Sequence, residues 1–143
     1  MGKNKYRFKG HESFILREGW LNKGLYEVYY DPKVFSENYG ADALGVGPNM
    51  AKSIRYWLKS ADLITDSPKT GAALTDIGNL IFTHDPCVED YFTLWLIHSK
   101  IAKNRELATA WNLFFNEVSY EEFKKQQIYD EMEALVSDLD GDI

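Results

Sequence analysis

The run LGVGPNMAKSIRYWLKSADLI, residues 44–64, limits the fold of this chain more than any other, because it specifies a turn, a helix and the approach to a strand together. Gly45 and Gly47 mark a place where the chain can reverse, since glycine accepts positive φ without a Cβ clash. Pro48 suits a first helical position, where its missing N–H costs nothing. Met50, Ala51, Ile54, Trp57, Leu58 and Ala61 then recur in one stripe at helical period, which predicts a helix over about 48–60. Asn49, Lys52, Arg55, Tyr56 and Lys59 fall on the opposite side, with Ser53 among them.

The flanks supply the rest of the pattern. REGWLNKGLYEVYYD predicts a first helix over about 17–30, ended by Asp31-Pro32 because the residue before proline is pushed out of the α region. Ser36 is positioned to cap a short helix reaching Ala43. After the central helix, LITD and AALTD are short β-compatible runs separated by SPKTG, a hairpin over about 63–74 with turn chemistry from Pro68 and Gly71. Thr75 then caps a helix opening at Asp76. Further helices are expected over about 86–103, 106–117 and 120–139, the last with Ser119 and Glu122 in capping-box spacing.

Helix, short helix, tight turn, amphipathic helix and hairpin is the order of a winged helix-turn-helix, here mainly α with a small β wing and additional C-terminal helices. With 143 residues and 45% hydrophobic composition, one core and a single winged-helix-like domain over 1–143 are the expectation. In such a fold the second helix of the turn lies in a DNA groove while the wing approaches the backbone. Lys52, Arg55 and Lys59 are then the candidate phosphate or base contacts, with Asn49, Ser53 and Tyr56 as hydrogen-bonding neighbours and Lys69 at the wing tip. The plainer alternative is a solvated outer face, or a winged helix that binds protein.

A formal net charge of -6 argues against a polyanion partner only until it is divided along the chain. From Glu117 onward nine acids stand against Lys124 and Lys125, a balance of -7, so residues 1–116 carry +1. Residues 1–11 hold Lys3, Lys5, Arg7 and Lys9 without an acid until Glu12, and residues 43–61 hold Lys52, Arg55 and Lys59 without one. Local charge of this kind is what a phosphate backbone responds to.

Other chemistries find little footing. The single cysteine, Cys87, leaves no internal disulfide to form and fits a reducing, cytoplasmic compartment. The N-terminus lacks a continuous apolar run, and no membrane span is expected. His84, Asp85, Cys87, Glu89, Asp90 and His98 gather near one another in sequence but lack paired metal-ligand spacing. They read more simply as a helix start at Asp85-Pro86, acids at its N-terminal dipole, and Cys87 as core filler. No Walker loop, dinucleotide fingerprint or nucleophile elbow is present, so neither an enzyme nor a cofactor is expected. The aromatics of DYFTLWLIHSKI and AWNLFFNEV read as core.

FKGHESFILREGWLNKGL, LGVGPNMAKSIRYWLKSADLI, LTDIGNLIF, DPCVEDYFTLWLIH and AWNLFFNE, in that order, resemble the bacterial DUF4007 proteins across much of residues 8–116. The resemblance implies a DNA-handling accessory role beside sulfur-transfer enzymes in DNA sulfur-modification or phage-defence systems. It also implies that the chain corresponds to the N-terminal part of longer members and lacks their C-terminal region. Pro48 stands where such members commonly carry lysine, which removes one phosphate contact. His11 and Arg17 lie in the first motif: His11 reads as capping and packing or as a contact, and Arg17 as a phosphate contact beside the central helix. The winged-helix order and the local charge make double-stranded DNA the expected partner. The rival reading is an adaptor docking a sulfur-transfer enzyme, a partner subunit or a second copy of the chain.

Overall fold

The structure, a computed structural model, describes residues 6–141. Contacts gather the chain into two compact units, one of residues 9–100 and one combining residues 101–141 with the described residues before Lys9. The helical extension is thus shared between them.

The larger unit holds α1 (Trp20–Tyr30), α2 (Ala41–Leu44), α3 (Pro48–Ser60), β1 (Ile64–Ser67), β2 (Gly71–Leu74), α4 (Asp76–His84) and most of α5 (Tyr91–Lys103). The central helix and the wing stand where periodicity and turn chemistry put them. Pro48 opens α3, and β1 pairs antiparallel with β2 in the register Ile64–Leu74 and Ser67–Gly71. Trp20, Leu21, Leu25 and Val28 of α1 bury against the α3 stripe of Ala51, Ile54, Trp57 and Leu58, joined by Leu44, Leu63 and Ile81. Gly24 permits the close crossing: a Cβ there would lie 2.5 Å from Leu58 Cδ1. Thr75 caps α4 by accepting from the Gly78 N–H at 3.0 Å, as the sequence predicts.

The wing has a third backbone partner that no local pattern announces. Ala72 N–H donates to the Pro32 carbonyl at 2.7 Å, so the loop after α1 runs beside β2.

Several local expectations need correction. The first helix begins at Trp20, after Gly19 in the left-handed region, instead of at residue 17. Ser36 caps nothing: its hydroxyl donates to the Lys33 carbonyl at 2.6 Å, and a 3-10 turn over Asn38–Gly40 precedes α2. Of the two glycines in the turn only Gly45 has positive φ, at 67°, while Gly47 is extended and caps α3 without a side chain. The helix expected from residue 86 starts at Tyr91. Asp85 ties up the backbone N–H groups of Glu89 and Asp90 at 3.1 and 3.0 Å, and Asp90 itself caps α5 by accepting from Phe92 N–H at 2.8 Å. Cys87, expected as core filler, is exposed.

In the smaller unit lie α6 (Thr109–Glu117) and α7 (Lys125–Gly141). Asn112 and Asn116 both donate to the Ala102 carbonyl, at 2.7 and 2.8 Å, tying α6 to the end of α5. Arg7 N–H donates to the Thr109 hydroxyl at 2.8 Å, pinning the entering chain at the start of α6. The Ser119–Glu122 capping box does not form. Instead α7 opens five residues later, where Gln127 reaches back to accept from the Lys124 N–H at 2.7 Å. Lys3 and Lys5 lie outside the described residues.

Candidate nucleic-acid interface

The face of α3 towards the wing is organised by one ion pair. Arg55 donates from both Nε and Nη2 to Oδ2 of Asp66 on β1. The Asp66 side chain is only 11% exposed, whereas the Arg55 side chain keeps 42% of its surface open. Near-burial on the carboxylate side makes the pair a fixed feature, since a charge held away from water needs its partner. The Arg55 guanidinium also lies 5.8 Å from the Phe35 ring.

Pro32, Lys33, Phe35, Ser36, Arg55 and Asp66, with the wing turn, enclose a cleft of about 190 Å³. Lys33 enters it because its Nζ donates to the Lys69 carbonyl at the wing tip, 3.2 Å away. Lys69 is exposed, as the hairpin predicts, and its N–H donates to the Ser67 hydroxyl at 3.3 Å.

The rest of α3 divides the expected contacts. Asn49 is exposed in the first turn, and Lys52 is half-buried with its Nζ 4.4 Å from the Tyr39 ring centroid. Lys59 is half-buried in the last turn. Ser53 and Tyr56, expected on the outward face, are buried, so neither is presented to a ligand. For Tyr56 the reason is the segment before α1. His11 meets its ring edge-on at 6.2 Å and stacks on Trp57 at 6.0 Å, while the Trp57 indole N–H donates to the Phe14 carbonyl at 3.4 Å. His11 is thus a packing residue, with Nδ1 accepting from Ser13 N–H at 3.0 Å. Arg17 is exposed and sits over the Phe14 and Trp20 rings, 5.9 and 5.5 Å from their centroids. It lines a separate concavity with Cys87 and Leu94 and is absent from the lining of the wing cleft.

Sequence reasoning missed Lys33, Phe35 and Asp66. Asp66 carries a faint signal, an acid on the strand that follows a basic helix. Lys33 carries none, because its place depends on the Ala72–Pro32 hydrogen bond. The positive surface has a limit: Asp31, Glu37 and Asp42 line a neighbouring concavity together with Lys33.

A second surface departs from expectation in the opposite direction. Tyr91, Phe92 and Trp95 on α5, read from sequence as core, are 82%, 74% and 70% exposed. Leu80 and Leu94 are also exposed, and Phe92 and Leu80 border a concavity of about 290 Å³ with His84, Asp85 and Asp90. Backbone donation from Asp90 and Glu89, with a smaller contribution from the Thr93 side chain, holds the Asp85 carboxyl below the ordinary aspartate range. Among the described residues no three His, Cys, Asp or Glu side chains converge as a metal site would need, and no helix is long and apolar enough to cross a membrane.

Comparison with solved structures finds the same fold in two crystal structures of SspB. The magnesium-bound form is 26% identical, with a TM-score of 0.73, 88% of this chain covered and 41% of that one. The second is 24% identical with the same TM-score and coverage. This chain therefore spans less than half the length of the SspB chains it matches. Comparison with curated proteins yields no match. The family model described as "Protein of unknown function (DUF4007)" matches residues 8–142, and the chain belongs to that family.

Proposed function

We propose that this chain is a DNA-binding accessory module of a bacterial DNA sulfur-modification or phage-defence system, working in the cytoplasm and contacting duplex DNA through α3 and the wing. The observation that carries the reading is the arrangement of α3 beside the wing, with Lys52, Arg55 and Lys59 on the helix and Lys33 and Lys69 at the hairpin. A helix N-terminus carrying an exposed Asn49 beside a wing tip where Lys69 and the neighbouring Lys33 gather fits a duplex: Asn can pair with an adenine edge while lysines meet phosphates. The role is that of a binder that brings a partner's chemistry to DNA. Membership of the DUF4007 family and likeness to SspB support the setting.

The test is duplex binding as a function of salt. Lys52→Ala with Lys69→Ala should leave the thermal midpoint nearly unchanged and lower the slope of log affinity against log salt by about 0.9 per lost phosphate contact. Absence of salt-sensitive binding by the unaltered chain overturns the reading.

A second reading, a protein adaptor, is favoured by Tyr91, Phe92 and Trp95. Three large aromatics exposed side by side on one helix are more than a monomer surface ordinarily leaves bare. They suit a partner subunit or a sulfur-transfer enzyme, and one chain can carry both surfaces.

A further inference from the structure

We propose that the cleft between α3, the wing and residues 32–36 seats a single phosphate group, with Arg55 as its grip, Lys33 as a second cation and Asp66 as the positioning residue that aims Arg55. The proposal rests on the DNA reading in taking that phosphate to be a backbone diester, and it goes further by locating the one contact that fixes the wing against the strand.

Geometry favours a phosphate over a larger ligand. A cleft of about 190 Å³ is smaller than the roughly 300–1,000 Å³ of small-molecule pockets, so it suits a group of a few heavy atoms. Arg55 spends Nε and one Nη2 hydrogen on Asp66 Oδ2. The edge formed by Nη1 and the second Nη2 hydrogen remains, and a guanidinium edge matches two phosphate oxygens. Asp66 lies on the strand that pairs with β2, and β2 is bonded to Pro32, so the guanidinium is held from the helix, the wing and the loop together. Lys33 is brought to the same cleft by the Lys69 carbonyl, and the hydroxyl-bearing Ser36 and Ser67 complete the polar rim. Phe35 and Pro68 supply the apolar wall of the cleft, while the Arg55 side chain keeps 42% of its surface open, so the guanidinium stays reachable from solvent.

Two measurements on the full chain test this, with circular dichroism confirming that each variant folds. The first is anisotropy with a 20-base-pair duplex. Asp66→Asn makes the chain more positive, so a carboxylate that merely screens the surface would on removal tighten binding. The proposal expects on the order of tenfold weaker binding, because the guanidinium loses its aim. Lys33→Ala should lower the salt slope by about 0.9. The second is amide NMR with inorganic phosphate, expected to shift the Ser67 and Gly71 signals saturably in the unaltered chain and to leave them in place in Arg55→Lys, which keeps charge but loses the fork.

Duplex binding that Asp66→Asn leaves equal or tighter, with the Lys33→Ala slope unchanged, overturns the seat and spares the DNA reading. Phosphate-induced shifts without duplex binding uphold the seat for free phosphate and overturn the DNA reading. Neither shifts nor duplex binding overturns both.

Discussion

A Cβ on Gly71 would lie 2.2 Å from the carbonyl oxygen of Pro32, so the second wing strand rests backbone against backbone on the loop after α1. Neither side of that contact can yield as a flexible side chain could. Gly71 also has φ at 81°, where a non-glycine residue is strained. Gly71→Ala should cost about 2 kcal/mol or more in urea unfolding and loosen the wing against Pro32. Gly47→Ser is the contrast: its φ is -69°, nothing approaches its Cβ, and it caps α3 without a side chain. That change should be neutral or stabilising by a few tenths of a kcal/mol. Equal losses at the two sites would contradict this account of the wing.

Trp57 joins the α1–α3 core to the segment before α1. Its ring is buried, stacks with His11 and donates to Phe14. Trp57→Ala should cost about 3 to 5 kcal/mol, and His11→Ala about 1 kcal/mol, since the histidine is half-buried and covers the ring from one side only. A negligible loss for Trp57→Ala would overturn the core described here.

Ser53 is buried in α3 with no hydrogen-bond partner for its hydroxyl. Burying an unsatisfied hydroxyl is unfavourable, and alanine is the better helix former. Ser53→Ala should therefore stabilise the chain by about 0.5 to 1.5 kcal/mol. It should leave duplex affinity unchanged, contrary to the role its spacing suggests. Destabilisation, or a loss of DNA affinity, would restore Ser53 as a functional group.

These residues also show where sequence reading succeeds and stops. The bounds of α3 and the wing follow from helical period, Pro48 and the SPKTG turn, all of which act within a few residues. Burial of Tyr56 depends on His11, and the place of Lys33 on a hydrogen bond between residues 32 and 72, so no local pattern could show either. The start of α5 is not legible locally because two aspartates compete to organise the same turn. Asp85 looks like the cap, but its oxygens serve the backbone of 89 and 90, and Val88 turns with φ at 53°. The exposure of Tyr91, Phe92 and Trp95 is hidden from the sequence for another reason: aromatic content marks a surface to be buried without saying whether this chain or a partner buries it.

Asp85 carries a testable pH dependence. Donation from Asp90 and Glu89 favours its ionised form, so its folded pKa lies below the unfolded one. The sign follows: the stabilisation is complete above the ordinary aspartate range and is lost as pH falls through the lower folded value. The side-chain carboxyl carbon of Asp85 should titrate below that range by NMR. On acidification, the turn that leads into α5 should loosen, seen as lower amide protection factors at residues 89 and 90. In Asp85→Asn the protection should be low already at neutral pH. A midpoint at or above the ordinary value would remove the proposed link.

The exposed aromatics of α5 separate surface function from fold. Tyr91, Phe92 and Trp95 bury little of themselves within the larger unit, so Phe92→Ser and Trp95→Ser should each change unfolding stability by no more than about 0.5 kcal/mol. An apolar face of this size drives association in proportion to the area it removes from water. Sedimentation of the unaltered chain should therefore show concentration-dependent association, or stable capture of a partner subunit when one is present. The double variant should abolish both. Its salt-dependent duplex binding should persist, because α3 and the wing are untouched. If the double variant instead unfolds the chain, these rings belong to a core and the adaptor reading loses its support. If it leaves association intact, the contact lies elsewhere.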